Sequence, residues 1–261
     1  MAHEPYLLDN QQAEAGERFD ALAELFNPST FRRMQALGLS PGWKVWEVGA
    51  GGASVPSFLA AQTNSLVLAT DIDTSWLELE QKAFEVRRHD IGADPAPEHL
   101  FDLVHARLVL VHVPKRINAL STMVDALRPG GWLFLEEADP GLQPLVCPDD
   151  FGPEQRLANK LKLAFRSLMS ERGADLCLGR TLPRLLRSAG LIDVQSDAYF
   201  PMGGPACNEL EAATVRQVRE RLIAGDLATS EEIERHLANV AAGRLDLATS
   251  PMVSAWARKP G

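Results

Sequence analysis

Cysteine is scarce in this chain. The three that occur, Cys147, Cys177 and Cys207, are odd in number and share no close spacing. That argues against a disulfide framework and a thiolate zinc site, and fits reduced thiols in a cytoplasmic protein. No apolar run approaches the roughly 18 residues that a membrane-spanning helix needs. The opening Met-Ala-His-Glu-Pro-Tyr lacks the basic region and apolar stretch of a signal peptide. Positive charge is also short: Lys and Arg total 26 against 35 Asp and Glu, a formal net charge of −9. Phosphate binding needs a basic surface, so nucleic acid is a poor fit as the main partner. No G-x-S-x-G elbow is present, which removes the usual serine hydrolase. No two histidines stand at i, i+4 with a further carboxylate, so no metal site is expected. Internal repeats and low-complexity segments are lacking.

What remains is an ordinary globular composition, 46% hydrophobic and 23% charged over 261 residues. That length suits one large domain or a domain with a substantial insertion. Helical spacing of apolar residues over 9–26 predicts a helix, with Asn27-Pro28-Ser29-Thr30 breaking it and capping a second over 30–37. Strands are predicted at 44–48, 66–70, 83–89, 101–105 and 132–136. The intervening helices are predicted at 55–62, 74–82 and 109–127, with a turn at 128–131. Five such alternations mark a parallel sheet with helices on both faces. After 138 the rhythm changes. Helices are predicted at 153–172, 182–188, 208–224 and 230–242, and strands at 191–200 and 247–258.

Ligands of open parallel sheets bind outside the carboxyl ends of the strands. Glu47, Asp71, Asp90, His105 and Glu136 all fall at such ends. Glu47-Val48-Gly49-Ala50-Gly51 is the most informative stretch. Its glycines allow a tight bend and close approach of a ligand. Glu47 would repel a pyrophosphate and suits hydroxyls or an ammonium group. Ser54 occupies the third glycine position of the dinucleotide fingerprint, which weakens that reading. Asp71 can accept hydrogen bonds from ribose hydroxyls. Asp90 can accept one from an adenine amine, and Ile72 and Ile91 can flank the ring. His105 and His112 follow the fourth strand and are the candidate catalytic bases, His112 the better one. Glu136 and Glu137 are further candidates for binding or deprotonating substrate.

The segments 47–51, Ala69-Thr70-Asp71-Ile72-Asp73, His89-Asp90-Ile91, Phe101-Asp102-Leu103-Val104 and 127–133 follow one another in the order seen in class I S-adenosylmethionine-dependent methyltransferases. The chain resembles the small-molecule branch, similar to the ubiquinone/menaquinone-biosynthesis type and to actinobacterial natural-product enzymes. The resemblance covers residues 40–138 well and 6–10 loosely. It implies an α/β, Rossmann-like seven-stranded sheet with helices on both faces, whose last strand is antiparallel. It also implies S-adenosylmethionine as cofactor. Gly49, Ala50 and Gly51 would lie at the methionine part, Glu47 near its ammonium, and the backbone of Ala106 and Arg107 beside it. Ala53 departs from the pattern, since many relatives carry a third glycine there.

The expected organisation is an N-terminal helical lid (1–39), a cofactor-binding core (40–138) and a remainder (139–261) with helical insertions near 139–180 and 202–245. Phe151, Phe165, Met169, Phe200 and Met202 would line an apolar acceptor cavity or serve as ordinary core. The expected function is methyl transfer to a small organic acceptor, an aromatic or natural-product intermediate, on oxygen, nitrogen or carbon. A homodimer is compatible with the sequence. The competing readings are a nicotinamide-dependent oxidoreductase and a catalytically silent methyltransferase-like partner protein.

Overall fold

The computed structural model describes residues 7–8, 13–77 and 83–261. The described chain divides into two compact units. The sheet unit comprises residues 27–139, 177–199 and 252–261; the helical unit comprises those up to Phe26, 140–176 and 200–251.

The sheet unit holds seven strands: β1 (Val45–Val48), β2 (Val67–Asp71), β3 (Glu85–Arg88), β4 (Phe101–Arg107), β5 (Leu127–Ala138), β6 (Ile192–Tyr199) and β7 (Met252–Arg258). Their order is β3-β2-β1-β4-β5-β7-β6. The first five run parallel, and β7 is antiparallel to both β5 and β6. Because β1 carries the chain to β2 and then the order jumps to β4, the carboxyl ends of β1 and β4 flank the crossover point where such sheets bind ligands. One face is covered by α1 (Ala13–Ala36) from Asn27 onward and by α2 (Ser54–Thr63). Met34, Val55, Leu59 and Ala60 pack there on Val45, Ala69, Leu103, Phe134 and Trp256. On the other face α5 (Leu178–Ser188) lies so close that a Cβ on Gly179 would meet the Glu137 carbonyl at 2.8 Å.

Three expectations need correction. The break at Asn27-Pro28-Ser29-Thr30 does not occur, and α1 continues through Pro28 to Ala36. A helical proline costs about 3 kcal/mol. Tertiary contacts offset it: Asn27 and Thr30 bond to Arg107, Thr30 donates to Glu136, and Phe31 stacks on Phe58 with centroids 3.8 Å apart. The helix does stop near Gly38, whose φ of +91° suits glycine.

The helix expected over 109–127 is instead a 3-10 turn (Leu110–His112) followed by α3 (Arg116–Asp125). Val113, preceding Pro114, is extended, as the proline ring demands. The turn expected at 128–131 lies inside β5, which begins at Leu127. Gly130 (φ +75°) and Gly131 form an irregularity in register there. A Cβ on Gly131 would stand 2.9 Å from the Phe101 carbonyl, so the glycines serve a bulge and not a loop. The helix expected over 74–82 falls partly outside the described residues, as do most of residues 6–10.

The helical unit is built on α4 (Pro153–Glu171), α6 (Pro205–Ala224) and α7 (Ser230–Ala241). Leu157, Leu161, Val215, Val218, Leu222 and Ile233 form its core. Thr229 and Glu232 close a reciprocal capping box on α7. Inside the unit, Lys162 Nζ reaches Glu211 Oε2 at 2.5 Å, and His236 Nε2 lies 3.3 Å from Oε1. Burial would raise the Glu211 carboxyl, but the Lys162 charge and His236 hold it at about 2. No helix among the described residues is long and apolar enough to cross a membrane.

Candidate active site

The strand–turn–helix from Val45 to Thr63 positions the glycine turn. Gly49 and Gly51 both adopt φ +61°, where a side chain is strained by about 1–2 kcal/mol. A Cβ on Gly49 would also collide with the Val109 side chain. Ala50 N–H donates to the Thr70 carbonyl at 3.0 Å, and Gly51 N–H donates to Asp71 Oδ2 at 2.9 Å. The turn is thus pinned to the end of β2. Ala53 has an ordinary φ of −83° and its methyl is buried in the core, so no glycine is needed there.

Asp71 is buried, and its second oxygen accepts the Asp73 N–H at 3.0 Å. Burial raises its carboxyl above the usual range, and the N–H donors of Asp73 and Gly51 only partly oppose this. Ile72 is more than half exposed immediately after it, whereas Ile91 is buried. Asp90 sits exposed beyond β3, with Oδ1 accepting the Gly92 N–H at 2.8 Å.

Register brings together residues far apart in sequence. Glu47 pairs with His105 across β1 and β4, and Glu136 of β5 faces Ser254 of β7. His105 Nδ1 lies 2.6 Å from Glu47 Oε2, and Nε2 lies 3.3 Å from Glu136 Oε2. Glu136 also accepts the hydroxyls of Thr30 (2.6 Å) and Ser254 (2.7 Å). Thr30 Oγ1 in turn accepts from Arg107 Nη1. Glu47, His105 and Glu136 are all buried, His105 completely. Burial alone would lower the imidazole, but the Glu47 charge and hydrogen bonds to both carboxylates raise it to about 9. Burial would raise Glu136, and His105, Arg107 and Thr30 bring it below its ordinary value. His105 therefore stands inside the sheet unit with both ring nitrogens directed at carboxylates.

His112 is half-buried at the end of the 3-10 turn. Glu137 organises the start of that turn. Its Oε1 accepts the N–H groups of Val109 (3.1 Å) and Leu110 (2.7 Å), while Oε2 has no hydrogen-bond partner among the described residues. Burial pushes this carboxyl up to about 8. Ala106 is buried, and the chain leaves β4 through Leu108 at φ +58°, a rare conformation for a bulky residue. The Leu108 N–H donates to the Glu136 carbonyl at 2.8 Å, which holds the bend. Thr30, Asn27 and Ser254 were not among the expected site residues. A lone serine within the buried strand Met252–Arg258 is the one sequence signal that could have flagged the network.

Two of these groups set a pH dependence. Glu137 and His105 both have folded-state values above their unfolded ones. Each contributes stability that is complete below the unfolded value and is lost as pH rises through the folded one. For His105, a value near 9 against an ordinary 6.5 corresponds to about 3 kcal/mol. Urea unfolding should therefore show stability falling from about pH 4.5 to 9, with Glu137→Gln removing the part lost between about pH 4.5 and 8. A flat profile across that window would contradict these assignments.

Comparison with known proteins places the chain. A methyltransferase domain family matches residues 46–135. Methyltransferase str2 of Strobilurus tenacellus is 30% identical over 234 residues, 87% of this chain and 82% of that protein. Methyltransferase str3 of the same organism is 28% identical over 198 residues, 73% of this chain and 68% of that one. Among solved structures, phosphoethanolamine N-methyltransferase 2 of Haemonchus contortus, in complex with S-adenosyl-L-methionine, shares the fold at a TM-score of 0.61 and 15% identity. That likeness covers 100% of this chain and 60% of that chain, so this chain spans about three fifths of its length. The chain belongs to the methyltransferases and is a class I, S-adenosylmethionine-dependent enzyme of the small-molecule type.

Proposed function

We propose that the acceptor is a small aromatic or natural-product intermediate and that the cofactor is held by the glycine turn and three carboxylates. The observation that carries the cofactor assignment is the set Glu47, Asp71 and Asp90 at the carboxyl ends of three adjacent parallel strands. Ionised carboxylates only accept hydrogen bonds. An ammonium, a pair of ribose hydroxyls and an exocyclic amine are all donors, so the residues fit S-adenosylmethionine.

In this reading Glu47 faces the ammonium, Asp71 the ribose and Asp90 the adenine amine. Exposed Ile72 offers apolar surface to the ring, and Gly49, Ala50, Gly51 and the backbone of Ala106 and Arg107 border the methionine part. S-adenosylmethionine supplies a methyl carbon already activated by its sulfonium. The protein's task is alignment, together with removal of a proton where the nucleophile carries one. His112 is the base in this proposal. His105 is not, because a ring that donates from both nitrogens has no lone pair left to take a proton. In the helical unit Phe165 and Met169 are core, whereas Phe151, Phe200 and Met202 are exposed.

Incubation with methyl-labelled S-adenosylmethionine and a panel of phenols, carboxylic acids and amines tests the reading. Acceptor-dependent release of S-adenosylhomocysteine is expected, led by an aromatic hydroxyl compound. His112→Asn should then lower kcat by about 10²-fold while leaving cofactor affinity unchanged. Turnover confined to aliphatic amines would overturn the acceptor class, and an unaltered kcat in the variant would remove His112 from the mechanism.

A further inference from the structure

We propose that His105 is a positioning residue: an imidazolium clamped between Glu47 and Glu136 that fixes the Glu47 carboxylate for the ammonium of the cofactor's methionine part. The inference rests on the reading of Glu47 given above and extends it to residues that never touch a ligand. Three observations carry it.

The first is geometric. With Nδ1 at 2.6 Å from one carboxylate and Nε2 at 3.3 Å from another, both ring nitrogens must carry protons to donate. The second is saturation. Both Glu136 oxygens are engaged, Oε1 by the Ser254 hydroxyl and Oε2 by Thr30 and His105. The glutamate therefore cannot turn, and neither can the imidazole it holds. The third is neutralisation. Glu47 is nearly completely buried, and a buried charge is costly unless it is paired. The imidazolium pairs with it at Oε2 and leaves Oε1 for the ammonium. Thr30 joins the same chain to α1, because its hydroxyl donates to Glu136 while accepting from Arg107. Glu47, His105, Glu136 and Arg107 are two anions and two cations, so the burial of the whole chain is electrically balanced.

Calorimetry with two ligands separates positioning from general support. S-adenosylhomocysteine carries the amino-acid part; 5′-methylthioadenosine shares the adenosine and sulfur but lacks it. For His105→Gln, affinity for S-adenosylhomocysteine should fall about tenfold while affinity for 5′-methylthioadenosine stays within about twofold of wild type. Thr30→Val should shift the two ligands in the same selective direction by a smaller factor. It serves as the second variant should His105→Gln fold poorly. Glu47→Gln should reproduce the loss, and the double variant should be no worse than Glu47→Gln alone. If the His105 and Thr30 variants weaken both ligands equally, or neither, while Glu47→Gln remains selective, the positioning role is overturned and the reading of Glu47 stands. If Glu47→Gln itself leaves S-adenosylhomocysteine binding intact, the assignment of Glu47 fails first and the inference with it.

Discussion

Replacing Asp71 with alanine is expected to weaken S-adenosylhomocysteine binding by about 10²–10³-fold, the largest effect of any single change at the cofactor turn. Two contributions combine. The proposed ribose contacts are hydrogen bonds to a charged acceptor, each worth about 1.5–3 kcal/mol. The same carboxylate also pins the turn through the Gly51 N–H, and alanine would leave that donor without its partner. Stability should suffer far less. Burial already disfavours the ionised carboxylate, so removing it relieves a cost while forfeiting two backbone hydrogen bonds. Asp71→Asn, which keeps one acceptor oxygen, should lie between wild type and alanine. Calorimetry and thermal melting on the three proteins check this. Equal affinity in all of them would show that Asp71 is only a tether for the turn.

Glu136→Ala is expected to have the largest effect on stability. It strips His105 of one of its two carboxylates and leaves the hydroxyls of Thr30 and Ser254 without their acceptor, all in a buried setting. Breaking a buried ion pair from one side costs about 3–5 kcal/mol, because a charge is left uncompensated. In a chain of this size that corresponds to a fall of roughly 10 °C in Tm. Glu136→Gln retains an acceptor for one hydroxyl and should lose less. A change of under about 1 kcal/mol for Glu136→Ala, measured by urea unfolding near pH 7, would mean the network is far weaker than its distances imply.

The two predictions differ in how far the sequence alone could lead to them. Asp71 stands at the end of an apolar run, at a fixed remove from a glycine turn, and both signals are local. Strand period, glycine spacing and terminal acids all lie within short windows, and the parallel strands they imply are observed; the antiparallel last strand, which the family resemblance implies, is observed as well. The Glu47–His105–Glu136 chain is of another kind. Those residues are 58 and 31 positions apart, and only the register of β1, β4 and β5 joins them. Read singly, each is a polar residue near a strand end, and His105 is as plausible a base as His112. The helix through Pro28 illustrates the same limit. Asn27, Ser29 and Thr30 have the look of a break and a cap, because their usual local bonds favour turns. Here Asn27 and Thr30 take distant partners on β4 and β5, and the helix runs on. Likewise Gly130 and Gly131 have the composition of a loop, but their use as a bulge depends on Phe101 of the neighbouring strand.

The proposed binding of S-adenosylmethionine at the turn Gly49–Gly51, with Glu47, Asp71 and Asp90 around it, is tested most directly by isothermal titration of the wild-type protein with S-adenosylhomocysteine and, separately, with the nicotinamide dinucleotides. Saturable one-to-one binding of S-adenosylhomocysteine, with no heat from either dinucleotide, is the predicted result. Saturable dinucleotide binding with no response to S-adenosylhomocysteine would contradict it.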